Sequence, residues 1–213
     1  MQDEASRTDV LTICIGAADI GAAARTVVVW ATQHEDDGRV VCAANVHMAV
    51  LAHDDPCFRA VMNRADLADP DGMPVDWALR AIGVPPTRRV RAAPALVVQV
   101  LARCVVWAVR VGLYGGMLET LPATVSLLAD ALPRLEVACA WPPPFRPLTT
   151  GVDATQTEAI RAAGTQLLLV ASAAQSRSAA WTPSATRCRA SFAGREGLAC
   201  GAVTGCRRRF RHR

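Results

Sequence analysis

Asp71 is the residue whose type and position best fit chemical work in this sequence. It lies in the turn segment 69–72, directly after a short predicted strand at 65–68 and before a helical pattern that begins at Met73. A carboxylate in that position can take the proton of an incoming hydroxyl, as the general base of a group transfer must do. Asp-Gly is also ordinary turn chemistry. The Asp71–Gly72 pair alone therefore does not indicate a catalytic site, and it is the position between a predicted strand and a predicted helix that makes Asp71 a candidate.

A pair of glycines forms a second candidate site. Gly115 and Gly116 follow the apolar run 111–114, which ends in Tyr114, and a helical pattern comes after them. Glycines at the start of a helix let the backbone approach a phosphate closely and donate N–H groups to it. The alternative is that Gly115 and Gly116 form a tight turn that is needed only for packing and binds no ligand.

Three further polar side chains stand after predicted strands. Asn45 and His47 follow the run 39–44, and Arg146 lies in the proline-rich segment 142–151. A rigidly presented guanidinium suits a phosphate or a carboxylate. The non-functional alternatives are that His47 is a structural or merely exposed histidine and that Arg146 is an ordinary surface arginine.

The elements that must position these residues alternate between two kinds. Within the first predicted helix, the run 27–30 (three valines and a tryptophan) fits either a helix or a strand. Predicted strands cover 10–15, 39–44, 65–68, 111–114, 135–141 and 166–170, and predicted helices cover 20–33, 46–52, 57–63, 73–82, 95–109, 118–132 and 152–163. This alternation predicts an α/β fold with a mostly parallel sheet flanked by helices. Ligands of such sheets bind outside the carboxyl ends of the strands, where the candidate residues fall.

Composition excludes several classes of protein. The 213 residues are 52% hydrophobic and 20% charged, which fits one folded domain and not a disordered chain. The apolar stretch 92–109 contains Gln99 and Arg103, so no membrane span is expected, and the acidic N-terminus predicts no signal peptide. The eight cysteines form no Cys-x-x-Cys pair, which disfavours a zinc site or a disulfide framework.

A series of segments in fixed order resembles the WecG/TagA/CpsF family of bacterial glycosyltransferases. The resemblance covers about residues 8–170. The segments are 41–48 (VCAANVHM), 63–67 (NRADL), 70–74 (PDGMP), 77–80 (WALR), 114–116 (YGG) and 143–149 (PPFRPLT).

The resemblance implies a function. Such enzymes transfer a sugar, often N-acetylmannosamine or its uronic acid, from a UDP-sugar to a polyprenyl-diphosphate-linked acceptor. They work at the cytoplasmic face of the membrane, as peripheral proteins, in the synthesis of teichoic acids, enterobacterial common antigen or exopolysaccharide. The family has a Rossmann-like sheet and is described as independent of metal, so neither a metal nor another cofactor is expected.

The resemblance also implies roles for particular residues. Asp71 corresponds to the proposed base, and Asn45 corresponds to a residue that lines the same site. The remaining expected substrate-binding residues are His47, Gly72, Tyr114, Gly115, Gly116 and Arg146. A homo-oligomer is left open.

The sequence departs from the family at several points. Ala95 stands where the family has an aspartate, and Ala43 stands where it often has a hydroxyl. The family's later motifs, Pro-Lys-Gln-Glu-Arg and Gly-Val-Gly-Ala-Ala-Phe-Asp, are absent. The codons of residues 174–179 and 205–211 permit them in two different shifted frames. A frameshifted gene would therefore leave a sheet that is incomplete at the C-terminus and an impaired enzyme.

Residues 171–213 are expected to form a poorly ordered, arginine-rich tail after a glycosyltransferase domain at 8–170. All 23 basic residues are arginines, and nine of them lie after residue 164 with Glu196 as the one acidic residue there. A non-catalytic α/β domain whose tail binds RNA or anionic membrane is the alternative function. RNA is disfavoured because only Trp181, Phe192 and Phe210 could stack on bases.

Overall fold

A six-stranded sheet with helices on its faces forms the centre of the molecule. The computed structural model describes residues 7–10, 12–16, 19–33, 38–84, 92–115, 118–142, 150–171 and 202–204. The strands are β1 (Arg7–Val10), β2 (Ile13–Gly16), β3 (Arg39–Ala44), β4 (Leu67–Pro70), β5 (Val111–Gly115), β6 (Val137–Trp141), β7 (Leu167–Ala171) and β8 (Ala202–Thr204). The helices are α1 (Ile20–Thr32), α2 (Val46–Asp54), α3 (Pro56–Asn63), α4 (Met73–Ala81), α5 (Ala92–Trp107), α6 (Thr120–Ala131) and α7 (Thr150–Ala162).

The order of the strands in the main sheet is β4-β3-β8-β7-β5-β6. Strand β3 runs parallel to β4, and β5 runs parallel to both β6 and β7. Strand β8 is antiparallel to its two neighbours, β3 and β7. The other five strands therefore share one direction, and their carboxyl ends lie at one edge of the sheet. This confirms the predicted α/β fold with a mostly parallel sheet.

Strand β8 joins two halves of the sheet and is absent from the sequence-based prediction. Its Thr204 pairs with Arg39 of β3 and with Leu167 of β7. Three residues are too few to create a periodic pattern, which explains why the sequence does not reveal this strand. It lies within the segment assigned to the tail, most of which is outside the described residues. The domain boundary at residue 170 stays a prediction.

The N-terminal strand that the sequence predicts at 10–15 is an antiparallel hairpin of β1 and β2 in the structure. Asn63, at the end of α3, holds the hairpin in place. Its Oδ1 accepts the N–H of Cys14 at 2.9 Å, and its Nδ2 donates to the carbonyl of Thr12 at 3.1 Å. One amide side chain thus satisfies a backbone donor and a backbone acceptor at the turn.

Helices α1 and α5 pack together against one face of the sheet. Alanines at 23 and 24 are fully buried there, beside Val27 and Val28. The structure places the valine run in a helix because burial outweighs the modest preference of β-branched residues for strands. Within the described part of the chain, none of the helices has the length and apolar character needed to cross a bilayer.

Candidate active site

Three of the candidate residues lie at the carboxyl edge of the parallel strands, where Asn45 and Asp71 are neighbours because β3 pairs with β4, whereas β8 and β7 lie between β3 and β5. Asn45 directly follows β3, Asp71 directly follows β4, and Gly115 is the last residue of β5. The backbone N–H of Asp71 donates to the carbonyl of Ala44 at 3.0 Å, which ties the end of β4 to the end of β3. The two loops that carry Asn45 and Asp71 therefore start side by side.

Asp71 is half-buried, and its carboxylate reaches a helix from a distant part of the chain. Its Oδ1 lies 3.4 Å from the backbone nitrogen of Ala93, which donates to it. The sequence predicts that this helix begins at residue 95, whereas α5 begins at Ala92. The contact thus involves a turn of helix that the sequence does not predict. Ala95, which replaces the expected aspartate, lies half-buried in the same helix.

Gly72 makes the turn between β4 and α4. Its φ of +87° lies in the left-handed region, which glycine adopts without a steric penalty, and it occupies the N-cap position of α4. No side chain caps this helix, which starts one residue later at Met73. Asp71 and Gly72 therefore form the turn after β4 and lead directly into the first residue of α4.

Asn45 caps helix α2. Its Oδ1 accepts the backbone N–H of Met48 at 3.0 Å, and its extended backbone conformation is typical of an N-cap residue. His47, the second residue of the same helix, is exposed to solvent. The structure therefore gives Asn45 a structural function in addition to its position at the edge.

Tyr114 and Gly115 end strand β5 in contact with neighbouring elements. The Tyr114 hydroxyl donates to Oε1 of Gln156 in α7 at 3.1 Å. Gly115 is buried with a φ of +131°, and an added Cβ would overlap the carbonyl of Ala171 in β7. Close approach of two strands therefore explains the glycine at 115. Gly116 and Arg146 lie outside the described residues.

Asp69 is the most deeply buried acidic residue described, although no motif in the sequence singles it out. It is 1% exposed and lies within β4, in register with Ala43 of β3. A second buried carboxylate, Asp76 in the first turn of α4, lies 2.8 Å from the guanidinium of Arg80. An aspartate that continues an apolar run, as Asp69 follows Leu67 and Ala68, is the signal that could have revealed it.

Within the described residues, no three His, Cys, Asp or Glu side chains are grouped so that they could hold a metal ion. Among the described residues, the groups identified at the carboxyl edge are the half-buried carboxylate of Asp71, the cap amide of Asn45 and the hydroxyl of Tyr114.

A comparison with known families fits this arrangement. No curated protein matches the sequence. The model of the glycosyl transferase WecG/TagA/CpsF family matches residues 8–203, which extends beyond residue 170 and includes most of β8. Because the match spans nearly all of the chain and every described residue of the candidate site, the chain belongs to the WecG/TagA/CpsF family of glycosyl transferases.

Proposed function

We propose that this protein derives from an enzyme that transfers a sugar of the N-acetylmannosamine type from a UDP-sugar to a polyprenyl-diphosphate-linked acceptor. The family and the position of Asp71 support this proposal. Asp71 is half-buried at the carboxyl edge of the sheet, so its carboxylate is fixed and still open to a substrate. Its position is the observation that carries the proposal.

In the proposed step, Asp71 takes the proton of the acceptor hydroxyl. The hydroxyl oxygen forms a new bond to the anomeric carbon of the sugar. The bond between that carbon and the diphosphate oxygen breaks, and UDP leaves with the bonding electrons. The chain supplies a base and a fixed geometry for this reaction, and the donor supplies the leaving group.

The other residues at the edge are assigned to binding. Asn45, His47 and Tyr114 would contact the sugar or the acceptor. The Gly115–Gly116 turn and Arg146 would hold the diphosphate, because backbone N–H groups and guanidinium groups both bind phosphate oxygens. A lipid-linked acceptor would bring the protein to the cytoplasmic face of the membrane.

We also propose that this copy of the enzyme is impaired. Strand β8 runs antiparallel, so its last residue, Thr204, lies at the edge opposite Asp71. Ala95 removes a second carboxylate that the family has, and the chain contains no lysine. Errors of about 1 Å in positioning already cost around 10²-fold in rate, so a partial site loses catalysis before it loses affinity.

The proposed base is tested in a protein whose reading frame has been restored across codons 174–211. Replacing Asp71 by Asn keeps the size of the side chain and removes its basicity, so transfer should fall by roughly 10²-fold or more. Asp130→Asn is the matched control, because Asp130 is exposed on α6. Normal transfer by the Asp71→Asn protein would disprove the assignment.

The impairment is tested by comparing the 213-residue chain with the frame-restored protein. The assay measures transfer from UDP-N-acetylmannosamine to a lipid-diphosphate acceptor, with both proteins free of host enzymes. We expect no measurable transfer from the 213-residue chain and clear transfer from the restored protein. Robust turnover by the 213-residue chain would disprove the frameshift hypothesis.

A further inference from the structure

Two hydrogen bonds from different parts of the chain converge on Asp71. Its backbone N–H donates to the carbonyl of Ala44 at the end of β3, and its Oδ1 accepts the N–H of Ala93 in α5. The first bond fixes the position of the main chain. The second fixes the side chain, which would otherwise rotate freely at a half-exposed strand end.

The N–H of Ala93 is available for this contact because of its place in the helix. Ala93 is the second residue of α5, and the first four N–H groups of an α-helix have no partner within the helix. The positive end of the helix dipole also lies there and favours a carboxylate. The Ala93 side chain is 3% exposed, so this residue is packed against the core and its backbone is held in place.

We propose that the first turn of α5 positions the catalytic carboxylate, with the N–H of Ala93 as the positioning group. It holds Oδ1 and leaves Oδ2 free to accept the proton of the acceptor hydroxyl. The inference rests on the proposed function for the role of Asp71 as base, whereas the contact itself can be tested without any transfer assay. The 3.4 Å separation is in keeping with catalytic hydrogen bonds that tighten only when substrate binds.

The first test measures amide hydrogen exchange by NMR in the 213-residue protein. Asp71→Ala removes the acceptor, so exchange at Ala93 should accelerate about tenfold or more. Asp66→Ala is the matched control at the opposite edge, where Asp66 accepts the N–H of Val40 at 2.8 Å. It should accelerate exchange at Val40 and leave Ala93 unchanged. Unchanged exchange at Ala93 in Asp71→Ala, or equal acceleration there in both variants, would overturn the proposal.

The second test removes the donor instead of the acceptor. Ala93→Pro lacks the N–H and is tolerated in the first turn of a helix, whereas Ala93→Val adds similar bulk and keeps the N–H. The readout is the ¹³C resonance of the Asp71 carboxyl carbon. We expect it to move in the proline variant and to stay in place in the valine variant. An equal response in the two variants would contradict a positioning role.

These outcomes separate the inference from the proposed function. Loss of transfer in Asp71→Asn with no change in the two NMR tests would leave the base assignment intact and remove the role of α5. If both NMR responses appear but Asp71→Asn transfers sugar at the normal rate, then the contact between α5 and Asp71 is real and Asp71 is not the base.

Discussion

At the scale of single residues, the candidate site is built from side chains that also hold the fold together. Asn45 caps a helix, Tyr114 bonds to Gln156, and Asp71 bonds to Ala93. A change at any of these positions therefore alters both stability and chemistry. Substitutions that keep one role and remove the other are needed to tell the two apart.

Asn45 allows such a separation. Serine caps helices about as well as asparagine, so Asn45→Ser should keep the free energy of unfolding, whereas Asn45→Ala should lose about 1 kcal/mol. Both variants lack the amide group, so both should bind a UDP-sugar more weakly if Asn45 lines the site. Urea unfolding and calorimetric titration measure the two effects. Wild-type affinity in the serine variant would limit Asn45 to capping.

Cys104 makes a prediction about pH. Burial in α5 raises the pKa of its thiol from 9.0 to about 12. The folded protein therefore keeps the thiol neutral while the unfolded chain ionises it. The stability that comes from the neutral thiol is fully present below pH 9.0 and is lost as the pH rises toward 12.

Urea unfolding should show a loss of about 1 kcal/mol between one pH unit below and one unit above the pKa of the unfolded thiol. Cys104→Ala has no thiol and should lose less stability over the same range. Equal pH dependence in the two proteins would mean that Cys104 ionises in the folded state as easily as in the unfolded chain.

At the scale of secondary-structure elements, the site depends on how closely strands and helices approach one another. The ends of β5 and β7 meet at Gly115 and Ala171, and the start of α5 meets the end of β4. A side chain added at one of them should disturb the sheet, and not only a surface loop.

Gly115→Ala tests this close approach. The new Cβ would meet the carbonyl of Ala171 and would also carry an unfavourable φ, so we expect a cost above about 3 kcal/mol in the free energy of unfolding. Gly83→Ala is the matched control, because Gly83 has a φ of +86° with open space around it. It should cost only about 1 kcal/mol. Similar losses in the two variants would show that the backbone conformation alone matters at Gly115.

At the scale of the whole molecule, β8 completes the main sheet. Within the described residues it supplies the backbone pairing between the β3–β4 half, which carries Asp71, and the β5–β6–β7 half, which carries Tyr114. The last described segment of the chain therefore helps to bring together the two sides of the candidate site.

Two truncated proteins test the role of β8. A chain that ends at residue 204 keeps this strand and should unfold at the same urea concentration as the full chain. A chain that ends at residue 201 loses the hydrogen bonds to β3 and β7, each worth about 1 kcal/mol, and should be less stable by several times that amount. Equal stability of the two truncated proteins would show that β8 adds nothing to the sheet.

The sequence alone determines most of the helices and strands of the main sheet, and the edge of that sheet at which the candidate residues lie. Apolar runs and helical patterns are local, and so are the turn residues that follow them, which is why Asn45, Asp71 and Gly115 can be placed after strands without coordinates. The order of short motifs identifies the family for the same reason. The chemical roles of these residues are proposals that rest on the family resemblance, and the experiments above test them.

Only the tertiary structure decides which of these elements meet. The contact between Asp71 and Ala93 joins residues 22 positions apart, and β8 pairs with β3 more than 160 positions away. No local pattern encodes such contacts, because they depend on how the strands are ordered in the sheet and on where α5 begins. The burial of Asp69 and the close approach at Gly115 have the same origin, since packing between distant segments determines both.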